Sequence, residues 1–132
     1  LLLDRDEFKP INDPFGHPVG DQVLQRFAAS LLAAARSSDT VGRLGGDEFV
    51  ILCPKLDQPE HIDDLCQRIF AEVSRISLPD YPELHPATSI GIAVYPRDAL
   101  QPDNLLQVAD AAMYQSKREG GNRYRRRPAD AC

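Results

Sequence analysis

The sequence predicts an α+β sandwich, with helices packed on a sheet. Three observations carry this. β-prone and helix-prone segments alternate in mixed order: strand, helix, hairpin, helix, strand, helix and a short last strand. The hairpin spans residues 41–52 and is broken by Gly45-Gly46, a pair that permits the positive φ of a two-residue turn. Each helical segment carries its apolar residues at three- and four-residue spacing, so each has a face to bury.

Leu1-Leu2-Leu3-Asp4 reads as a buried-type strand, and alternation sets Asp4 and Asp6 on one face. Residues 8–17, with Asn12, Asp13, Gly16 and two prolines, read as turn-rich. From Asp21 the pattern is helical: Val23, Leu24, Phe27, Ala28, Leu31, Leu32 and Ala35 share helical spacing, and Arg36-Ser37-Ser38-Asp39 ends the run. In the hairpin the second strand opens with adjacent carboxylates, Asp47 and Glu48, and continues as Phe49-Val50-Ile51-Leu52. After a loop at Pro54-Lys55-Leu56, Asp57 as N-cap and Glu60 three residues on mark a helix start. Ile62, Leu65, Cys66, Ile69, Phe70, Val73 and Ile76 form its stripe. Residues 78–86 hold three prolines and read as a loop. Residues 88–95 are rich in β-branched side chains and read as a strand stopped by Pro96. Pro102 suits the first turn of the last helix, whose buried face is Leu105, Leu106, Ala109, Ala112 and Met113. Gly120-Gly121 stops it, and Arg123-Tyr124-Arg125 is a candidate short strand.

At 132 residues the chain is one domain, taken as 1–127 with a tail over 128–132. Its 42% hydrophobic and 27% charged content places it among globular chains rather than disordered ones. No apolar run approaches the roughly 18–20 residues of a membrane span, so direct membrane contact is not expected. Leu1-Leu2-Leu3 is followed at once by Asp4-Arg5-Asp6-Glu7, which is no signal peptide. The abrupt start in a buried-type strand suggests a chain cut from something longer. Cys53, Cys66 and Cys132 are odd in number and form no C-x-x-C, so they read as free thiols of a reducing compartment, two of them in the core. A net charge of −5 argues against general nucleic-acid binding. It conceals a basic run over 117–127, a local +5 that leaves −10 on the remainder. That run reads as a solvated tail, with one or two phosphate-facing members as the sharper alternative.

Two groups of acids could carry chemistry. Asp4 and Asp6 end one strand, and Asp47 and Glu48 lie at the hairpin tip beside open glycine backbone. If the two elements are neighbours in the sheet, their carboxylates converge, and converging carboxylates repel unless a cation lies between them. Hard oxygen donors without His or Cys suit Mg²⁺, with Mn²⁺ as its substitute. Such a site serves metal-dependent phosphoryl or nucleotidyl transfer. On the residue types alone, surface acids balanced by nearby Arg and Lys are the more ordinary reading.

A wider pattern bears on that choice. Asp4-Arg5-Asp6-Glu7-Phe8-Lys9, then Ile11-Asn12-Asp13, Gly16-His17 and Gly20-Asp21, resembles the first block of GGDEF domains. Arg43-Leu44-Gly45-Gly46-Asp47-Glu48-Phe49 is similar to the block that names the family. Thr88-Ser89-Ile90-Gly91-Ile92-Ala93 resembles its T-x-S-x-G strand, and Ala109-Asp110-Ala111-Ala112-Met113-Tyr114 with Lys117 its A-D-x-A-[LM]-Y helix. The blocks fall in the right order over essentially the whole chain. The resemblance implies a central, mainly antiparallel sheet flanked by helices, related to nucleotide cyclases and polymerase palms. It implies diguanylate cyclase activity: two GTP condense to cyclic di-GMP and two pyrophosphates, in a homodimer whose half-sites face each other. It also implies a bacterial cytoplasmic setting and an attached sensory domain.

By the same resemblance Asp4, the Arg5 backbone carbonyl and Asp47 are Mg²⁺ ligands, and Glu48 reaches a second metal. Asp47 is the candidate proton acceptor and Lys9 the transition-state stabiliser. Phe8 and the Gly45-Gly46 backbone lie near the phosphates, and Lys117 contacts the triphosphate. Asn12 and Asp21 read guanine, with His17 either beside them or packing the loop. Arg36 and Asp39 match the R-x-x-D inhibitory site that binds the product.

The chain departs from the pattern in three places. Arg5 stands where an apolar residue is usual. Gly121 replaces the arginine usual after the last helix, so a phosphate contact is lost unless Arg118 or Arg123 supplies it. The family's usual segment ahead of the first strand is missing. Beside the enzyme, two other readings therefore stand: a catalytically silent module that binds cyclic di-GMP, and a GTP sensor.

Overall fold

β1 (Leu2–Arg5) is the central strand of a five-stranded sheet, because Leu2 and Leu3 are apolar towards both of its faces and both are buried. In this computed structural model residues 1–5, 9–45, 47–54, 60–76 and 87–126 are described, with backbone only at 5 and 9–21. β1 runs antiparallel to β3 (Glu48–Leu52) on one side and to β4 (Thr88–Gly91) on the other. β2 (Thr40–Gly45) extends the sheet beyond β3, and the two-residue β5 (Tyr124–Arg125) lies parallel to β4 at the other edge. The order is β2-β3-β1-β4-β5, so the sheet is mainly antiparallel, in an α+β fold.

α1 (Lys9–Ala34) and α2 (Glu60–Ser74) cover one face. There Leu3, Phe49, Ile51 and Ile90 of the sheet meet Phe27 and Leu31 of α1 and Ile62, Leu65, Cys66, Ile69 and Val73 of α2. The Phe27 and Phe49 rings lie 5.3 Å apart. Arg68 on α2 donates to the Ala34 carbonyl at 3.0 Å, satisfying an otherwise orphan group at the end of α1. α3 (Pro102–Arg118) covers the other face, where Leu2 packs with Ala109 and Met113.

The structure revises several expectations. The segment expected to be turn-rich is helical from Lys9. Pro10 falls in the first turn, where its missing N–H would have no partner, whereas Pro14 and Pro18 each remove a rung further in. Leu32 and Leu106 are exposed. Leu106 sits one turn before Ala109, which already lies against Gly91 at the end of β4. The strand expected to reach residue 95 ends at Gly91, because the Val94 N–H turns to the Asp98 carboxylate, 2.7 Å away, instead of a neighbouring strand. The helix start expected at Asp57 lies outside the described residues.

The described part of the basic run, to residue 126, is tied to the domain by side-chain contacts rather than left as a loose tail. Arg125 pairs with Glu119 at 2.6 Å, Arg126 with Asp63 at 3.2 Å, and Arg118 lies over the Tyr114 ring. Cys66 is buried as expected, Cys53 is half-buried, and Cys132 lies outside the described residues.

Candidate functional site

Antiparallel pairing brings two groups of sequence-distant acids to one end of the sheet. Asp4, near the end of β1, lies directly opposite Glu48 at the start of β3, and opposite Ser89 on its other side. Residues directly opposite share a face, with Cβ atoms roughly 4.5–5.5 Å apart. The face is that of Leu2, on which α3 packs. Two carboxylates so placed repel each other.

A cation from the far end of the chain meets them. Lys117 Nζ donates to Asp4 Oδ2 at 2.8 Å, with both side chains partly enclosed. The position of Lys117 is fixed by its neighbours. Ser116, wholly buried, places its hydroxyl 3.1 Å from the Ile90 carbonyl oxygen and 3.2 Å from that of Ala112. Gly91 lets α3 approach the strand backbone to backbone: a Cβ there would stand 1.9 Å from the Ala109 carbonyl oxygen. Two residues past Arg118 the chain turns left-handed, with φ of +118° at Gly120 and +74° at Gly121. The Gly121 N–H bonds the Ser116 carbonyl and the Gly120 N–H that of Lys117, the paired bonds of a Schellman cap. Gly121 thus stands where backbone geometry favours glycine, at the position where the family pattern has arginine.

The hairpin differs slightly from expectation. Gly45, at φ +149°, still belongs to β2 and pairs with Glu48, so the turn is one residue further on and contains Asp47. Leu44 is the extra residue of a bulge between the pairs Arg43–Phe49 and Gly45–Glu48. Asp47 is exposed at the tip and Glu48 half-buried at its root. Leu44, Gly45 and Asp47, at the hairpin end that carries the acids, are all exposed, so among the described residues this end of the sheet is open beside them.

The donor set fits magnesium. Among the described residues no three His, Cys, Asp or Glu side chains gather at metal-binding distance. Mg²⁺ needs only one or two protein carboxylates, with water and substrate phosphates completing its shell. Asp4 and Glu48, with Asp47 at the tip, supply that number and no soft ligand.

Other expected site residues fall elsewhere. Arg5 is the last residue of β1, opposite Thr88. Lys9, Asn12, His17 and Asp21 all lie on α1, which begins just after β1. Phe8, Asp6 and Gly46 lie outside the described residues.

Arg36 and Asp39 do come together, with each other. Arg36 Nη2 is 3.0 Å from Asp39 Oδ1, and its Nε and backbone N–H reach Oδ2 at 3.3 and 2.9 Å. The Asp39 side chain is fully enclosed. Burial pushes its pKa up, but the hydrogen bonds and charge of Arg36 outweigh that and hold the carboxyl below its usual range.

Sequence reasoning overlooked Thr88 and Ser116. The Thr88 hydroxyl donates to the Asp4 carbonyl at 2.8 Å, pinning the backbone beneath the carboxylate. Ser116 ties α3 to β4. The available signal was a hydroxyl residue at each of two buried positions, which needs a nearby partner.

The profile of one protein family, "Diguanylate cyclase, GGDEF domain", matches residues 1–123. The chain is 40% identical over 94% of its length to the bifunctional diguanylate cyclase/cyclic di-GMP phosphodiesterase MucR of Pseudomonas aeruginosa. It is 42% identical over 90% of its length to diguanylate cyclase TpbB of the same species. It spans 18% and 28% of those two proteins, so they carry much more than this domain. The crystal structure of the TpbB GGDEF domain superposes with a TM-score of 0.88 at 40% identity, covering 96% of this chain and 80% of that one. The GGDEF domain of DgcB from Caulobacter crescentus, in complex with c-di-GMP, superposes with a TM-score of 0.81 at 32% identity, covering 95% of this chain and 74% of that one.

Proposed function

The chain belongs to the GGDEF family of diguanylate cyclase domains, and we propose that it condenses two GTP into cyclic di-GMP with release of two pyrophosphates. The observation that carries this reading is the opposition of Asp4 and Glu48 at an open end of the sheet, with Lys117 beside them. Each chain supplies one half-site, and two chains face each other across their bound nucleotides.

In each half-reaction the 3′-oxygen of one GTP bonds to the α-phosphorus of the other, and the α–β anhydride bond breaks to release pyrophosphate. Asp4, the Arg5 carbonyl and Asp47 would hold one Mg²⁺, or Mn²⁺, and Glu48 would reach a second. Bound metal supplies Lewis-acid stabilisation of charge on the phosphates. Asp47 accepts the hydroxyl proton from its exposed place at the tip. Lys9, at the start of α1, steadies charge on the phosphoryl group in flight. Phe8 and the Gly45-Gly46 backbone border the phosphates, and Lys117 contacts the triphosphate. Asn12, His17 and Asp21 select guanine. The Arg36–Asp39 pair is the product site, where guanidinium and carboxylate exchange each other for guanine edges and phosphate. The domain works attached to a sensory region that controls pairing.

A second reading rests on Gly121: without an arginine there the triphosphate has one anchor fewer, which suits a domain that holds cyclic di-GMP and turns over little GTP. One experiment separates the readings. GTP conversion is followed with Mg²⁺ in the full-length protein and its Asp47→Ala variant, beside calorimetry of cyclic di-GMP on the protein and Arg36→Ala. Turnover lost in Asp47→Ala supports the cyclase. Product binding lost in Arg36→Ala, with no turnover from the dimeric parent, moves the assignment to the binding module.

A further inference from the structure

We propose that Lys117 is a placeholder cation: it neutralises Asp4 until a divalent metal claims that carboxylate, and it is then released towards the substrate's phosphates. The inference rests on the reading of Asp4 as a metal ligand.

The 2.8 Å contact between Lys117 Nζ and Asp4 Oδ2 is a charge-assisted hydrogen bond. Asp4 faces Glu48 across the β1–β3 ladder, so the ammonium lies where two negative charges would otherwise stand against each other. A divalent ion answers the same need with twice the charge and a direct bond to carboxylate oxygen. Held on one carboxylate, the two cations repel, and the monovalent one on the flexible stem is the one that yields.

The surroundings let Lys117 move without moving α3. Its backbone is fixed by the Ser116 hydroxyl against β4, by the Gly91–Ala109 contact and by the Gly120-Gly121 cap. The four-carbon stem, by contrast, is about one-third exposed, and its ammonium lies at Asp4, at the end of the sheet that carries the acids. A fixed root with a movable charged tip can pass between two anions a few ångströms apart, here Asp4 and a phosphate. One residue thus performs two successive tasks: it keeps the paired acids compatible with folding, then supplies positive charge to the nucleotide when the metal arrives. Metal binding and phosphate binding are coupled as a result, because each frees or uses the same ammonium.

The test measures Mn²⁺ binding to the full chain without nucleotide, read from the electron paramagnetic resonance of free Mn²⁺. Lys117→Met and Lys117→Gln are expected to bind about three- to tenfold tighter than the parent, as removal of a partly exposed competing ion pair allows. Lys117→Arg, which keeps the charge, is expected to stay near the parent. The gain disappears when Asp4→Asn is combined with Lys117→Met. Thermal melts give a second readout: in EDTA the neutral variants melt below the parent, and Mn²⁺ closes the gap. Equal or weaker Mn²⁺ binding in the neutral variants overturns the placeholder, as does binding in none of them. If Asp4→Asn weakens Mn²⁺ binding while the Lys117 variants gain nothing, the metal site stands and the placeholder alone falls. If Asp4→Asn leaves Mn²⁺ binding intact, the metal-site reading falls and the inference with it.

Discussion

Substituting Gly91 with alanine tests how the site is held in place. An added Cβ would lie 1.9 Å from the Ala109 carbonyl oxygen, 2.5 Å from the Met113 nitrogen and 2.9 Å from the Ala109 carbonyl carbon. All three are backbone atoms, so no side chain can rotate away. To reach even 3.0 Å from the oxygen, α3 or β4 must retreat by about 1.1 Å, the difference between those two distances. Overpacking of this kind costs about 1–3 kcal/mol. The same retreat stretches the 3.1 Å bond from Ser116 to Ile90 past hydrogen-bonding range, adding about 1 kcal/mol. The expected loss is about 2–4 kcal/mol, or roughly 5–15 °C in Tm for a chain of this size. Urea denaturation monitored by circular dichroism measures it directly. A larger effect is expected on metal and nucleotide binding, since Lys117 moves with α3 relative to Asp4. If Gly91→Ala matches the parent within about 0.5 kcal/mol, α3 is not locked against β4, and the account of how Lys117 is positioned is wrong.

Other consequences follow from the ion pairs and thiols. Arg36→Ala leaves the enclosed Asp39 carboxylate with the backbone N–H of residue 36 and the Cys53 thiol, and should cost about 1–2 kcal/mol, a figure discounted because Arg36 is partly exposed. The folded-state pKa of Asp39 is depressed, so its contribution is complete above the unfolded value near 3.8 and is lost as pH falls through the lower folded value. Acid titrations of stability should therefore show the parent losing more than Arg36→Ala below about pH 4. Burial pushes the Cys66 thiol up to about 12, leaving about one molecule in ten thousand as thiolate at pH 8. Burial, then the nearby Asp39 charge, also raises Cys53. In a Cys132→Ser background, thiol reagents should label the native protein far more slowly than the unfolded one, and rapid native labelling of Cys66 would contradict its packing. Ser116→Ala should destabilise by about 1 kcal/mol in the same urea assay, and a neutral result would show that the Ile90 carbonyl does not depend on it.

How far the sequence alone carried the structure depends on how local each signal is. α2 was readable because Ile62, Leu65, Cys66, Ile69, Phe70 and Val73 repeat at helical spacing, Phe70 half-buried and the others buried; Ile76, read into the same stripe, is buried just past the end of the helix. The start of α1 was not, because two prolines and a glycine within 8–17 speak for turns, and local chemistry does not report what a helix gains from its partners. β4 was expected four residues too long because the competitor for its backbone, the Asp98 side chain, comes from the following turn. At the site, the residue types of Asp4, Asp47 and Glu48 were legible. Their proximity was not, since alternation tells which face a residue takes and not which strand lies beside it. The contact of Asp4 with Lys117 joins residues 113 apart in the chain and has no local signature.

The central place of β1 has a consequence for how the domain is made. The strand next to it on one side, β3, begins at residue 48, and the one on its other side, β4, at residue 88. On a ribosome adding roughly 5–20 residues per second, β1 waits about 4–17 s for its second neighbour. During that interval Leu2 and Leu3, destined for opposite faces, lack at least one of their partners, which are the kind of surfaces chaperones hold. Nor can an early fragment settle into a stable sub-fold, since Leu2 meets Ala109 and Met113, and β5 joins β4 only at residue 124. A nascent chain stalled before that point carries the acids of the site on an unfinished sheet. The contact of Lys117 with Asp4 forms only when synthesis of the domain is nearly complete.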